Sequence, residues 1–152
     1  MSNDIQQADA VREAVANLPH QLDAKRWAEV RALFAARVHT DYTSLSGGTP
    51  QDQTPEALVG GWEKALARVA TQHLLGPVVV RIDGDRAEAR CHVRAIHFAE
   101  GAPGGPSWEA IGHYLFGLVR QGDAWRIADL TLQMFLQTGN RKLLEEAGAA
   151  SR

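Results

Sequence analysis

The chain has 152 residues, with 16 lysines and arginines against 18 aspartates and glutamates for a formal charge of −2. At this length folding withdraws roughly 68–70% of the extended surface from water, enough for a core with an internal pocket and no cross-links. The charge balance lacks the basic excess of a nucleic-acid binder, no apolar run approaches the roughly 18–20 residues that span a bilayer, and a lone Cys91 excludes an internal disulfide. The unpaired thiol and a start without a basic or apolar leader lead us to expect a cytoplasmic protein, and the lack of repeats or linkers a single domain over residues 1–152.

In chain order, Ile5, Ala8, Val11, Val15, Leu18 and Leu22 recur in steps of three and four and predict an amphipathic helix, capped by Asn3 or Asp4. Pro19 lies inside this pattern, and its missing N–H predicts a kink or a restart. Trp27, Val30, Leu33 and Phe34 predict a second helix, with Asp23 standing before it where an aspartate caps free N–H groups. Val38, Thr40 and Tyr42 then alternate with His39, Asp41 and Thr43, a short strand with Tyr42 on its less polar side. A loop over 44–53 precedes Thr54-Pro55-Glu56, which opens a third helix with a cap, a first-turn proline and an early acid; Leu58, Trp62, Leu66 and Val69 form its stripe. From Gln72 to Gln137 the pattern is of strands, turned at Asp83-Gly84-Asp85, at 101–106 and at Gly122-Asp123. Residues 141–152 predict a short helix with a frayed tail. Helices first and strands afterwards predict an α+β architecture with helices on one face of a mostly antiparallel sheet.

The strand after Asp85 carries the most information about chemistry. Its side chains alternate between a small apolar row, Ala87, Ala89, Cys91, Val93 and Ala95, ending in His97, and a wet row, Arg86, Glu88, Arg90, His92 and Arg94. Small neighbours leave room beside His97, which is either a hydrogen-bonded core histidine or an acid–base group. His73, in Thr71-Gln72-His73, falls at a helix–strand junction, either against a helix dipole or aimed into a site. Imidazole exchanges protons near neutrality, so two histidines with one aspartate and one phenol can form a proton-transfer set. No metal-ligand cluster and no phosphate-cradling glycine loop occurs, and no cofactor is expected. In the later strands Trp108, Ala110, Gly112, Tyr114, Phe116 and Leu118 share one face while Ile111, Leu115 and Val119 share the other, so both faces need cover. Trp125, Ile127 and Phe135 stand opposite Met134 and Leu136 on the last strand.

Four of these stretches carry a family resemblance. Leu22-Asp23-Ala24-Lys25-Arg26-Trp27, Thr40-Asp41-Tyr42-Thr43-Ser44, Thr71-Gln72-His73 and Ala95-Ile96-His97 make the chain, from about Ala10 to Gly139, resemble scytalone dehydratase and the SnoaL-like, polyketide-cyclase-like members of the nuclear-transport-factor-2-like superfamily. The resemblance implies a cone-shaped α+β fold, three N-terminal helices on a strongly curved, mixed, mostly antiparallel sheet. It also implies a pocket lined by Asp23, Tyr42, His73 and His97, with His113, Trp62 and Phe135 assigned to substrate contact. The implied activity is that of a cofactor-independent lyase dehydrating a small cyclic or polyketide-like hydroxy ketone. In that scheme His73 takes the proton, Asp23 and His97 form a hydrogen-bonded pair, and Tyr42 donates to the developing enolate. Leu22 stands where the family commonly has a second tyrosine, so paired phenols are not expected. An isomerase, cyclase or epoxide hydrolase on the same scaffold, or a non-catalytic ligand-binding module, is the alternative. The expected partners are a small hydrophobic substrate and further copies of the chain in a dimer or trimer, with no nucleic acid and no membrane.

Overall fold

In a computed structural model, residues 2–149 are described, and the first of them enter helix α1 (Ser2–Asp23) directly. Asp4 lies in its first turn; the Asn3 side chain lies outside the described residues, as does the tail 150–152. Val11, Val15, Leu18 and Leu22 are buried as their spacing demands, whereas Ile5 protrudes. Pro19 does not restart the helix, which runs on to Asp23. Helix α2 (Trp27–Ala32) follows, but its cap residue is Arg26 with no side-chain hydrogen bond, so Asp23 does not cap it. Phe34 belongs instead to strand β1 (Phe34–Asp41), where it pairs with Ile127. An apolar side chain can enter the core from either kind of backbone, and this tertiary pairing overrides the helical spacing.

The expected loop contains a single helical turn, α3 (Thr43–Ser46), and a three-residue strand, β2 (Gln51–Gln53), laid antiparallel on β1. Helix α4 (Pro55–Ala65) starts as its sequence announces, the Thr54 side chain accepting from the Ala57 N–H at 3.3 Å with Pro55 in the first turn. It ends before Leu66 and Val69, which are buried beyond it.

The long strands are β3 (Ala70–Leu75), β4 (Val79–Asp83), β5 (Arg86–Phe98), β6 (Ser107–Gln121) and β7 (Ala124–Gly139), with helix α5 (Leu143–Ala149) at the end. They form a curved sheet in the order β2-β1-β7-β6-β5-β3, with β4 beside the other half of β5. Every pairing is antiparallel except β1 with β7. Gly84 and Gly122, at φ of 59° and 62°, make the tight reversals before β5 and β7 that glycine alone allows cheaply. On β5 the alternation is unbroken: Ala87, Ala89, Cys91, Val93, Ala95 and His97 are buried and the arginine row is exposed. The helices cover this inner face, and α1 lies across β3 and β7. No described helix is long and apolar enough to cross a membrane.

Strand β7 departs from simple alternation. Its register with β6 shifts twice, once past Ala128 and once past Phe135. Each extra residue reverses which parity faces inward. Trp125 and Ile127 are buried before the first shift and Leu130 and Leu132 after it, and Phe135 at the second is 80% exposed.

Candidate active site

The end of α1, the paired strands β3 and β5 and the inner row of β6 enclose a cavity of about 260 Å³. Its space comes from small residues, Ala95 and Ala110, set among Leu22, Leu66, Phe116 and Leu132. The register of β3 on β5 sets Thr71 opposite His97 and His73 opposite Ala95. His73 and His97 are therefore diagonal neighbours on one face. Their ring centres lie 5.8 Å apart with planes at 77°.

Asp23 reaches this pair from the last position of α1. Its Oδ2 accepts the His73 backbone N–H at 2.8 Å, its Oδ1 accepts the Thr71 hydroxyl at 2.8 Å, and Oδ1 lies 2.7 Å from His73 Nδ1. Burial pulls the Asp23 pKa upward, but the hydrogen bonds from His73 and Thr71 outweigh it and hold the carboxyl below its ordinary value. An ionised Asp23 requires the proton on Nδ1 of His73, which leaves Nε2 with a free lone pair. This corrects the pairing implied by resemblance: the carboxylate is bonded to His73 and not to His97.

His97 is 7% exposed and stacks on Trp108, with ring centres 4.3 Å apart. Among the described residues its Nδ1 has no hydrogen-bond partner. Burial first, and the neighbouring His73 second, lower its pKa to about 4, so the ring is neutral at physiological pH.

Tyr42 follows β1 and lines the same cavity, and Tyr114 on β6 joins it. The two hydroxyls interact, and burial raises both phenol pKa values. Both remain O–H donors at neutral pH. A second phenol is thus present although Leu22 occupies the helix position, and it comes from the sheet. Its sequence signal is its parity with Trp108 and Phe116; the pairing of Tyr114 opposite Cys91 is what only the fold supplies.

Trp62 lines the cavity from α4. The two other residues assigned to substrate contact do not reach it. His113 faces the outer side of the sheet, its ring 4.5 Å from that of His92, and Phe135 projects from a bulge into solvent. Behind the site Lys25, at φ 57°, donates from Nζ to the Val69 carbonyl at 2.7 Å and so ties the end of α1 to the start of β3. Among the described residues no three His, Cys, Asp or Glu side chains gather as they would around a metal ion. Burial pushes the Cys91 thiol up to about 11, which leaves it protonated and unsuited to act as a nucleophile.

The sequence matches the SnoaL-like domain family over residues 3–131, and the chain belongs to that family. No curated protein is significantly similar to it. Among solved structures it is similar to the Kfla4162 protein of Kribbella flavida, at 25% identity and a TM-score of 0.85 over 94% of this chain and 99% of that one. A candidate scytalone dehydratase of Novosphingobium aromaticivorans matches at 18% identity and a TM-score of 0.80, covering 92% of each chain. A type 2 hexachlorocyclohexane dehydrochlorinase (LinA) matches at 13% identity and a TM-score of 0.76, covering 90% of each. The likeness to the last two is one of fold: the curved, mixed α+β cone of nuclear-transport-factor-2-like proteins.

Proposed function

We propose that this member of the SnoaL-like family is a cofactor-independent lyase that eliminates water from a small, largely apolar cyclic or polyketide-like hydroxy ketone. The observation that carries the reading is the 2.7 Å contact between Asp23 Oδ1 and His73 Nδ1 at the wall of an apolar cavity. A histidine held in one tautomer by a carboxylate is a base of fixed direction. Its Nε2 takes the proton alpha to the substrate carbonyl, and the imidazolium so formed is stabilised by ionised Asp23. Negative charge moves to the carbonyl oxygen, where Tyr42, with Tyr114 beside it, donates a hydrogen bond. The double bond then forms as the β-hydroxyl departs, taking the proton from His73 and leaving as water. Neutral His97, stacked on Trp108, forms part of the cavity wall and, being uncharged, adds no competing proton source.

The test is turnover of a panel of cyclic β-hydroxy ketones, followed by the absorbance of the conjugated enone. His73→Asn is expected to lower kcat by about 10²–10⁴-fold, the usual worth of a positioned proton-transfer group. Undiminished turnover in that variant overturns the assignment. Binding of the panel without any turnover favours the ligand-binding module, and turnover of enone isomers or epoxides favours the related chemistries of the fold.

The outer sheet face supports a further part of the reading, a homo-oligomer. Leu74, Val79, Phe98, Phe135 and Leu136 are exposed. Sedimentation as a monomer at micromolar concentration would remove it.

A further inference from the structure

A second cavity, of about 280 Å³, lies between the end of β1, α3, β2 and α4. It shares the lining residues Tyr42, Ser46 and Trp62 with the inner cavity, so the two spaces adjoin. Its chemistry is different. Where the inner cavity is walled mainly by aliphatic and aromatic carbon, this one counts Thr40, Thr43, Thr49, Gln51 and Gln53 among its lining residues, with no charged side chain.

These groups are held in place. Thr40 is buried to 4% exposure, and its hydroxyl accepts from Gln53 Nε2 at 3.1 Å. Gln51 Nε2 donates to the Thr49 carbonyl at 3.0 Å. Both amides are thus fixed through nitrogen, and among the described residues neither Gln51 Oε1 nor Gln53 Oε1 receives a hydrogen bond. A carboxamide oxygen so turned is an acceptor waiting for a neutral donor, an O–H or an amide N–H.

The surrounding charges discriminate against anions. Asp41 is engaged by Thr43, and Asp52 by His39, on the strands that form one side of the cavity. Arg37 donates to the Asp52 carbonyl from the exposed side of β1 and is not among the lining residues. An anionic group entering here finds no cationic side chain among the lining residues to pair with.

We propose that this second cavity is a subsite for a short, uncharged, hydrogen-donating arm, a hydroxyalkyl or carboxamide substituent, on the same ligand whose ring fills the inner cavity. Thr40 and Tyr42 lie two residues apart on extended chain, about 7 Å, so the arm spans only a few bonds from the ring. The inference rests on the inner cavity being the ligand site of the proposed lyase, but it concerns binding and not the proton transfer.

The experiment measures binding by calorimetry, with quenching of tryptophan fluorescence as a second readout, since Trp62 lines both cavities and Trp108 lines the inner one. The probes are 1-tetralone derivatives carrying the same two-carbon arm ended by methyl, hydroxyl, carboxamide or carboxylate. The hydroxyl and carboxamide arms are expected to bind about 3–10-fold tighter than the methyl arm, the value of one or two net hydrogen bonds, and the carboxylate arm weaker. Gln53→Leu should erase that preference, and Gln51→Leu, on the exposed side of the same cavity, should reduce it. Equal affinity for methyl and hydroxyl arms, a preference surviving both substitutions, tightest binding of the carboxylate, or no binding of any probe overturns the proposal. His73→Asn separates the two ideas, because it should lower turnover by about 10²–10⁴-fold while keeping the arm preference intact.

Discussion

Strands β5 and β7 flank the same partner, β6, and are of similar length, yet they deliver side chains to the core in different ways. β5 is regular throughout, and all its inward positions from Ala87 to His97 are buried. β7 is interrupted twice, so its inward residues change parity after Ile127 and its last turn of sheet points Phe135 and Leu136 at solvent. The regular strand ends on a residue of the cavity, His97; the interrupted strand bends the sheet and gives the cavity Leu132 alone. Regularity here serves aim, and irregularity serves curvature.

Substitutions can break this contrast, and the largest expected effect lies just beyond the first bulge. Leu130, 1% exposed, has a parity that simple alternation assigns to the surface. Leu130→Ala should cost about 2–5 kcal/mol by chemical denaturation, the range for a buried leucine; a loss near zero would mean that the bulge does not turn this residue inward.

Acid should act next, through β5. His97 takes up its proton near pH 4 in the folded protein but near 6.5 when exposed. Between those values the unfolded chain binds more protons, so stability falls as pH falls from about 6.5 toward 4, by on the order of 2–3 kcal/mol. His97→Phe, which keeps a ring against Trp108, should remove this part of the pH dependence. Asp23, whose pKa is lowered, adds a separate loss at more acidic pH. Identical stability–pH profiles for the variant and the parent would contradict the buried, neutral state of His97.

Gly112 lies on β6 opposite the second bulge of β7, where a Cβ would stand 2.1 Å from the Gln133 carbonyl oxygen. Gly112→Ala is expected to cost about 1–3 kcal/mol, as overpacking does, measured by thermal unfolding. Phe135→Ser, on the strand opposite, should change monomer stability by no more than about 0.5 kcal/mol, and any larger effect on Tm that grows with protein concentration would report association through this face.

The same contrast explains what could be read in the sequence. β5 was legible to the residue because an unbroken period of two needs only alternation, and α4 because Thr54 and Pro55 mark its start. Phe135 was misplaced because parity counted from Trp125 fails at Ala128, and a bulge leaves no compositional mark. Phe34 was drawn into a helix by spacing that its pairing with Ile127 overrules. At the site, the resemblance of the Asp23, Tyr42, His73 and His97 segments named residues that the fold brings near one another. Alternation alone put His97 inside; it could not tell which histidine the carboxylate would bind, because that depends on where the end of α1 lands on β3. Tyr114 went unread as a site residue for the same reason, its neighbour Tyr42 lying 72 positions away on a different strand.

The carboxylate of Asp23 holds the main-chain amide of His73 as firmly as it holds the ring. One side chain therefore serves as a latch between the first helix and the sheet and as the group that sets the histidine's tautomer. A molecule in which that helix has swung away loses both the latch and the fixed tautomer at once. The state of the His73 ring is consequently a gauge of where the first helix sits on the sheet.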